Sequence, residues 1–183
     1  MPISEHEGDI RKYRASYNVY LRSPTDSGES QSQLRDPSRY IGRVGVTDCQ
    51  EFGAPFSDHL TVPKDILERE KILKMAVGYA LLSKAWGKGY ATEALKALVE
   101  EYLKPRGFWN PPFEKVYLDG VAAVANLRSR RVIEKLGFKF KGIHRWDGPE
   151  AFIGGAMQPP EMCVYSLGPS AGVHSELQSS DNH

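Results

Sequence analysis

Cysteine is scarce in this 183-residue chain, which contains only two such residues, Cys49 and Cys163. They lie far apart, and neither belongs to a CxxC pair or to a cysteine–histidine spacing of the kind that holds zinc. This argues against a disulfide framework and against a zinc site. We interpret both residues as ordinary reduced thiols, and we expect no metal.

The sequence also lacks an excess of charge of one sign and a long apolar run. Lysine and arginine total 24 against 23 aspartate and glutamate residues, so no overall field would draw the protein to nucleic acid or to an anionic membrane. No stretch approaches the ~20 apolar residues of a membrane span, and the N-terminus lacks the apolar core of a signal peptide. We therefore expect a cytoplasmic protein with neither nucleic acid nor membrane as a partner.

Length and composition predict a single domain. With 40% hydrophobic side chains, the chain is long enough for one core and short for two. Both ends are polar and have few large apolar side chains to bury. We assign residues 17–168 to the domain, residues 1–16 to an N-terminal segment and residues 169–183 to a disordered tail.

Hydrophobic patterning predicts an α/β fold. Apolar residues recur at helical spacing from Ala91 until Pro105 stops the pattern, and Asn126 is placed to cap a second helix that ends before Gly137. Six segments rich in apolar, β-branched or aromatic residues are predicted strands: residues 17–21, 40–46, 72–82, 115–121, 138–143 and 162–167. Their order along the chain implies at least one βαβ unit.

The segment WGKGYAT, residues 86–92, lies between a predicted strand and a predicted helix. Free backbone amides and the positive end of the helix meet there, which favours an anion. Gly87 and Gly89 permit positive φ and the close approach of ligand oxygens, and Lys88 and the Thr92 hydroxyl add donors. The segment predicts a pyrophosphate-binding loop, with a plain tight turn as the alternative for its two glycines.

Two other phosphate motifs compete for this segment. The P-loop, GxxxxGK[ST], is excluded because Leu82 stands at its first glycine position and Gly89 follows its lysine. The dinucleotide fingerprint GxGxxG/A fits both glycines, but Thr92 replaces its last small residue and no acid-terminated strand follows about twenty residues later. A nicotinamide-dependent oxidoreductase is therefore the weaker alternative.

The loop matches the pattern Q/R-x-x-G-x-G/A, with Trp86 in its first position, and resembles the coenzyme A loop of the GCN5-related N-acetyltransferases (GNAT). A second segment, NLRSRRVIEKLGF at residues 126–138, is similar to the N-x-x-S helix and G-F turn of one branch, the ribosomal-protein N-terminal acetyltransferases. The resemblance covers roughly residues 40–167. It implies acetyl-CoA as co-substrate and a primary amine of a small molecule, peptide or protein as acceptor.

The resemblance also implies an architecture. We expect a mixed, mostly antiparallel central sheet flanked by helices, in which the strands at residues 72–82 and 115–121 splay apart around the pantetheine arm. Members of this branch begin with a strand and two helices, whereas about sixteen residues precede the first predicted strand here. The N-terminal part is therefore expected to be shortened. A homodimer partner or the loops at residues 23–39 and 48–64 would then cover the sheet.

Residue roles follow from the same resemblance. Backbone amides at Leu81 and Leu82 would hold the pantetheine and the thioester carbonyl, Asn126 would orient the pantetheine amides or a water, and Ser129 would stabilise the leaving thiolate. The implied coenzyme-binding set is Leu81, Leu82, Trp86, Gly87, Lys88, Gly89, Tyr90, Ala91, Thr92, Asn126 and Ser129.

Proton transfer is assigned to a separate set of residues. Many family members place a tyrosine general acid seven residues after the asparagine, where this chain has Ile133. Asp119 is the predicted base, so the predicted catalytic residues are Ser129, Asn126 and Asp119. Alternatives to Asp119 are Glu51, His59, His144 and a chain of waters.

Two further alternatives stay open. Three arginines, Arg128, Arg130 and Arg131, form a basic cluster that is expected to be solvated. The alternative is that Arg130 or Arg131 contacts the 3′-phosphate of the coenzyme. Because Ile133 cannot donate a proton, the second hypothesis for the whole protein is one that binds coenzyme A without efficient turnover.

Overall fold

Eight strands are present in the computed structural model, which describes residues 15–21, 36–47, 56, 58–104, 111–145, 149–153 and 156–168. Six form the central sheet, and two short ones pair with each other. In chain order they are β1 (Ala15–Tyr20), β2 (Tyr40–Thr47), β3 (Ile72–Leu81), β4 (Lys115–Ala123), β5 (Lys139–Arg145), β6 (Ala151–Ile153), β7 (Ala156–Gln158) and β8 (Glu161–Leu167).

The central sheet has the order β1-β2-β3-β4-β8-β5. Within it, β3 and β4 are parallel, and the other neighbouring strands run antiparallel. The prediction of a mixed, mostly antiparallel sheet is therefore confirmed, and each of its six predicted strands is present with ends shifted by at most two residues.

Three α-helices accompany the sheet among the described residues: α1 (Lys64–Arg69), α2 (Tyr90–Leu103) and α3 (Leu127–Lys135). Helix α2 connects the parallel strands β3 and β4, which gives the predicted βαβ unit. Its buried residues, Leu95, Leu98, Val99 and Tyr102, share one core with residues of β3 and β4. None of the helices in the described ranges is long and apolar enough to cross a membrane.

The first strand begins at Ala15, two residues before the predicted boundary of the domain. Ala15 and Ser16 are small residues that give little strand signal, yet they pair with Val46 and Gly45 of β2. The proposed division at residues 16 and 17 therefore falls inside a strand. Residues 1–14 and 169–183 lie outside the described residues.

The parallel strands β3 and β4 separate part of the way along their length. Their pairing runs from Ile72 and Lys115 to Val77 and Gly120. Beyond that point β3 continues to Leu81 beside β2, while β4 continues to Ala123 beside β8. The predicted splay is confirmed, and it opens at Val77 and Gly120.

Side-chain alternation gives the sheet two different faces. The face that carries α2 and α3 includes Leu73, Met75 and Leu118, which share a core with the buried side of both helices. The opposite face carries Phe56, Leu60 and Val164 as a second, smaller core. We call these the helix face and the second face.

Candidate functional site

The loop before α2 has the backbone geometry that its glycines predicted. Gly87 has a φ of 73° and Gly89 a φ of 85°, values in the left-handed region that disfavours residues with a Cβ. A Cβ built on either glycine would meet nothing within 4 Å. Conformation rather than crowding therefore requires glycine, and the space beside the loop is open.

The N-terminus of α2 lies next to this open space and carries backbone amides that have no partner within the helix. Gly89 is the N-cap and provides no side-chain cap. The amide of Glu93 donates to the Gly89 carbonyl at 3.1 Å, so the preceding amides of Tyr90, Ala91 and Thr92 have no carbonyl partner within the helix. With the exposed Lys88 beside them, these groups fit a diphosphate.

The end of β3 is fixed by two hydrogen bonds around the loop. The Leu82 amide donates to the Ile41 carbonyl of β2 at 2.8 Å, and the Trp86 indole nitrogen donates to the Leu81 carbonyl at 2.8 Å. The Leu82 amide, expected to hold the coenzyme, is therefore engaged within the sheet. Since backbone groups alternate along a strand, those of Tyr79 and Leu81 point away from β2, towards the splay.

Asn126 and Ser129 lie together at the start of α3, as predicted. The Ser129 amide donates to Oδ1 of Asn126 at 3.0 Å, so the asparagine side chain caps the helix. The Ser129 hydroxyl lies 2.9 Å from the hydroxyl of Tyr79 on β3. Sequence reasoning missed Tyr79. Strand alternation places it on the same face as Val77, two residues further along β3, and this alternation could have identified it.

Ile133, at the position where many family members carry tyrosine, is a core residue. It is 4% exposed, and a Cβ on Gly120 would lie only 3.2 Å from its Cγ2. The isoleucine therefore fills the space above the glycine at which the splay opens, and it offers no proton.

Asp119 lies on the second face, and Ser129 lies on the helix face. The Asp119 side chain is fully buried, and its Oδ2 lies 3.3 Å from the Lys74 ammonium. That ammonium also bonds the Thr61 hydroxyl and lies 5.8 Å from the centre of the Phe56 ring. The structure thus does not bring Asp119 and Ser129 to one side of the sheet.

The other base candidates differ in their positions. His144 is 5% exposed, and its ring lies 5.4 Å from that of Phe56 on the second face. His59 is exposed in a short 3₁₀ turn, and Glu51 lies outside the described residues. No group of three histidine, cysteine, aspartate or glutamate side chains suited to a metal occurs in the part of the chain that the structure describes.

One arginine of the basic cluster is held within the fold. Arg130 donates from Nε to the Tyr165 hydroxyl at 3.1 Å and from Nη1 to the Val124 carbonyl at 3.2 Å. The Tyr165 hydroxyl donates in turn to Glu134 at 2.9 Å. The hydrogen bond to Tyr165 raises the pKa of Arg130. Arg130 therefore ties α3 to β8, whereas Arg128 and Arg131 are exposed.

Comparison with known proteins identifies one family. Residues 5–139, more than half of the chain, match the family described as Acetyltransferase (GNAT) domain. None of the curated proteins matches the chain.

Solved structures of acetyltransferases resemble the chain at low identity. A ribosomal-protein-S5-alanine acetyltransferase from Vibrio fischeri is 20% identical, with 73% of this chain and 56% of that chain covered and a TM-score of 0.47. A variant of a spermidine N-acetyltransferase from Vibrio cholerae is 17% identical, with 90% and 69% covered and a TM-score of 0.46. The chain spans little more than half, 55–56%, of the length of several solved acetyltransferases.

Proposed function

Since the chain belongs to the GNAT acetyltransferase family, we propose that it transfers the acetyl group of acetyl-coenzyme A to a primary amine. The acceptor is an amine of a small molecule, a peptide or a protein. Direct attack of the amine nitrogen on the thioester carbonyl needs no covalent intermediate on the protein. The protein must bind the coenzyme and orient the thioester. It must also allow one proton to leave the amine nitrogen and supply one proton to the leaving sulfur.

One arrangement supports this proposal above all others: the amide-lined end of α2 stands beside the splay between β3 and β4. The positive φ of Gly87 and Gly89 turns the chain into α2, and the space beside both glycines is open. A diphosphate bound at these amides would lead the rest of a coenzyme molecule into the gap that opens at Val77 and Gly120. The residues present therefore fit coenzyme A.

Each part of the site has a separate task in this mechanism. The amides of Tyr90, Ala91 and Thr92 bind the diphosphate, with Lys88 as an added cation. The backbone of Leu81 at the open edge of β3 orients the pantetheine arm, and the Trp86 indole holds that edge through the Leu81 carbonyl. When bound, acetyl-coenzyme A supplies an activated acetyl group with a thiolate as leaving group.

Ser129 and water handle the protons. The Ser129 hydroxyl, held at the first turn of α3, donates a proton to the leaving sulfur. We assign removal of the amine proton to water, because the Asp119 carboxylate is fully buried, bound to Lys74 and on the second face of the sheet.

The alternative of a coenzyme A-binding protein without turnover rests on Ile133, which occupies the usual position of the tyrosine acid.

The proposal is tested by ligand-dependent thermal unfolding and by thiol release. Acetyl-coenzyme A at about 100 times its Kd should stabilise the folded protein by about 2.7 kcal/mol, a rise in Tm of roughly 5–10 °C. NAD should give no rise. Turnover is tested by measuring release of the coenzyme A thiol with polyamines, amino sugars and peptides with a free N-terminus as acceptors. Thiol release that depends on an added amine would establish turnover.

A matched pair of glycine variants makes the test specific. Gly89→Val and Gly137→Val both place a side chain at a positive φ with open space around it, so backbone strain should destabilise both by a similar amount. Only Gly89→Val should lose the rise in Tm, because Gly137 lies at the far end of α3. An unchanged Tm of the wild-type protein in millimolar acetyl-coenzyme A would overturn the proposal. Binding without amine-dependent thiol release would establish the alternative.

A further inference from the structure

Two hydroxyl groups from different layers of the fold meet beside the splay. Tyr79 lies on β3 two residues beyond Val77, the last residue of that strand to pair with β4. Ser129 lies in the first turn of α3, 50 residues later in the chain, and the two oxygens are 2.9 Å apart in a half-buried setting. A hydrogen bond of this length between two hydroxyls is well formed, and either one can be the donor.

Both partners are held in place by other contacts. The Ser129 amide is bound to the Asn126 side chain, which fixes the backbone that carries the serine. Tyr79 is opposite Val44 in the β2–β3 register, and its ring packs against the main core. The two hydroxyls therefore lie at hydrogen-bond distance on a strand and a helix that other contacts hold, which meets the distance requirement for proton transfer.

We propose, resting on the acetyltransferase function above, that Tyr79 is the source of the proton that Ser129 delivers to the leaving sulfur. The bond that forms joins the amine nitrogen to the acetyl carbon, and the bond that breaks is carbon to sulfur, whose electron pair stays on sulfur. Ser129 gives its hydroxyl proton to that sulfur and takes the hydroxyl proton of Tyr79. The amine nitrogen loses its extra proton to water, and water returns a proton to the Tyr79 oxygen.

This assignment supplies the acid that the sequence lacks at its usual place. Ile133 on α3 is buried over Gly120 and has no proton to give. The Tyr79 hydroxyl on β3 contacts the same helix, α3, at Ser129. Ser129 lies one helical turn before Ile133. Arg130, Glu134 and Tyr165 link α3 to β8 independently of this contact.

Four variants test the relay in steady-state assays with an amine that the wild-type protein accepts. Tyr79→Phe and Ser129→Ala should each lower kcat by about 100-fold, within the usual range for general acid catalysis, and leave the KM for acetyl-coenzyme A within about twofold. The double variant should be no slower than the slower single variant, because two members of one relay are not additive. Ser129→Thr, which keeps a hydroxyl, should retain most of the activity.

The matched control is Tyr165→Phe. It also removes a tyrosine hydroxyl that is hydrogen bonded to α3, so it should lower Tm while kcat stays within about twofold. A Tyr79→Phe protein that keeps kcat within about threefold of wild type, or loses no more than Tyr165→Phe, would overturn the relay while leaving the acetyltransferase function intact. A wild-type protein without amine-dependent thiol release would overturn both. If Tyr79→Phe fails to fold, a Ser129→Ala protein with wild-type kcat would refute the relay.

Discussion

The ammonium of Lys74 lies 3.3 Å from Oδ2 of Asp119, where the carboxylate is completely buried and the lysine side chain is 17% exposed. The two residues project from adjacent parallel strands onto the second face of the sheet. A buried charge costs several kcal/mol unless it is paired, and removal of one partner exposes that cost. Loss of either partner alone should therefore destabilise the sheet just below the splay.

Lys74→Met keeps most of the aliphatic length of the side chain but removes its charge. We expect a loss of about 3 kcal/mol in the free energy of unfolding, because Asp119 would remain buried without this cation. Urea denaturation measures the change. Lys141→Met, at an exposed position on β5, is the control and should change stability by less than about 0.5 kcal/mol. Equal urea midpoints for the two variants would contradict the prediction.

Asp119→Asn separates a structural role from a catalytic one. An amide is nearly the same size but cannot form the ion pair with Lys74, so the variant should unfold at lower urea concentration. At a temperature where it remains folded, its kcat should fall less than tenfold, since water rather than Asp119 removes the amine proton in our mechanism. A fall of more than about 100-fold in a folded variant would identify Asp119 as the general base.

Gly42 is predicted to tolerate no side chain. Its φ is +145°, and a Cβ would lie 2.2 Å from the Ala80 carbonyl oxygen and 2.7 Å from the Leu81 Cα. Gly42→Ala should therefore cost more than about 2 kcal/mol of stability through strain and strand displacement. Gly78→Ala is the control, because a Cβ there meets nothing within 4 Å. Similar stabilities of the two variants would show that β2 can move away from β3 at little cost.

Asn126→Ala should destabilise the protein by about 1 kcal/mol through loss of the N-cap of α3. Asn126→Asp keeps an acceptor for the Ser129 amide and should keep most of the stability. Hydrogen exchange of the Ser129 amide, slow in wild type and faster in the alanine variant, would localise the effect. An alanine variant as stable as wild type would mean that the hydrogen bond seen at 3.0 Å contributes nothing net.

Cys163 should be unreactive towards thiol reagents while the protein is folded. The residue is 1% exposed, and burial raises the pKa of the thiol, so that little of the reactive thiolate forms at mildly alkaline pH. In a Cys49→Ser background, the aromatic disulfide DTNB should titrate almost no thiol until denaturant is added. Rapid labelling of the native protein would show that β8 opens frequently.

Features encoded by neighbouring residues could be predicted from the sequence. The two glycines before a helical pattern predicted a backbone with positive φ, and Asn126 three residues before Ser129 predicted the cap of α3. The strands of the central sheet followed from runs of apolar, β-branched and aromatic residues. Helix α1 and strands β6 and β7, with six or three residues each, are too short to develop a recognisable period.

Contacts between distant parts of the chain could not be predicted in this way. Tyr79 and Ser129 are 50 residues apart, and nothing in either local sequence specifies the other. Arg130 looked like one charge in a solvated run, but the approach of β8 gives it the Tyr165 hydroxyl as a partner. Asp119 was placed correctly on its strand, whereas its face and its pairing with Lys74 depend on the assembled sheet.

The place of β8 in the sheet has a consequence for synthesis on the ribosome. This strand is the last of the described elements to be made, yet it lies between β4 and β5 and contacts both. A nascent chain that ends before Glu161 has no strand to bridge β4 and β5, and it also lacks Tyr165, which ties down α3. Because such long-range pairing closes last and slowly, the emerging chain should stay sensitive to proteases until residue 167 has left the exit tunnel.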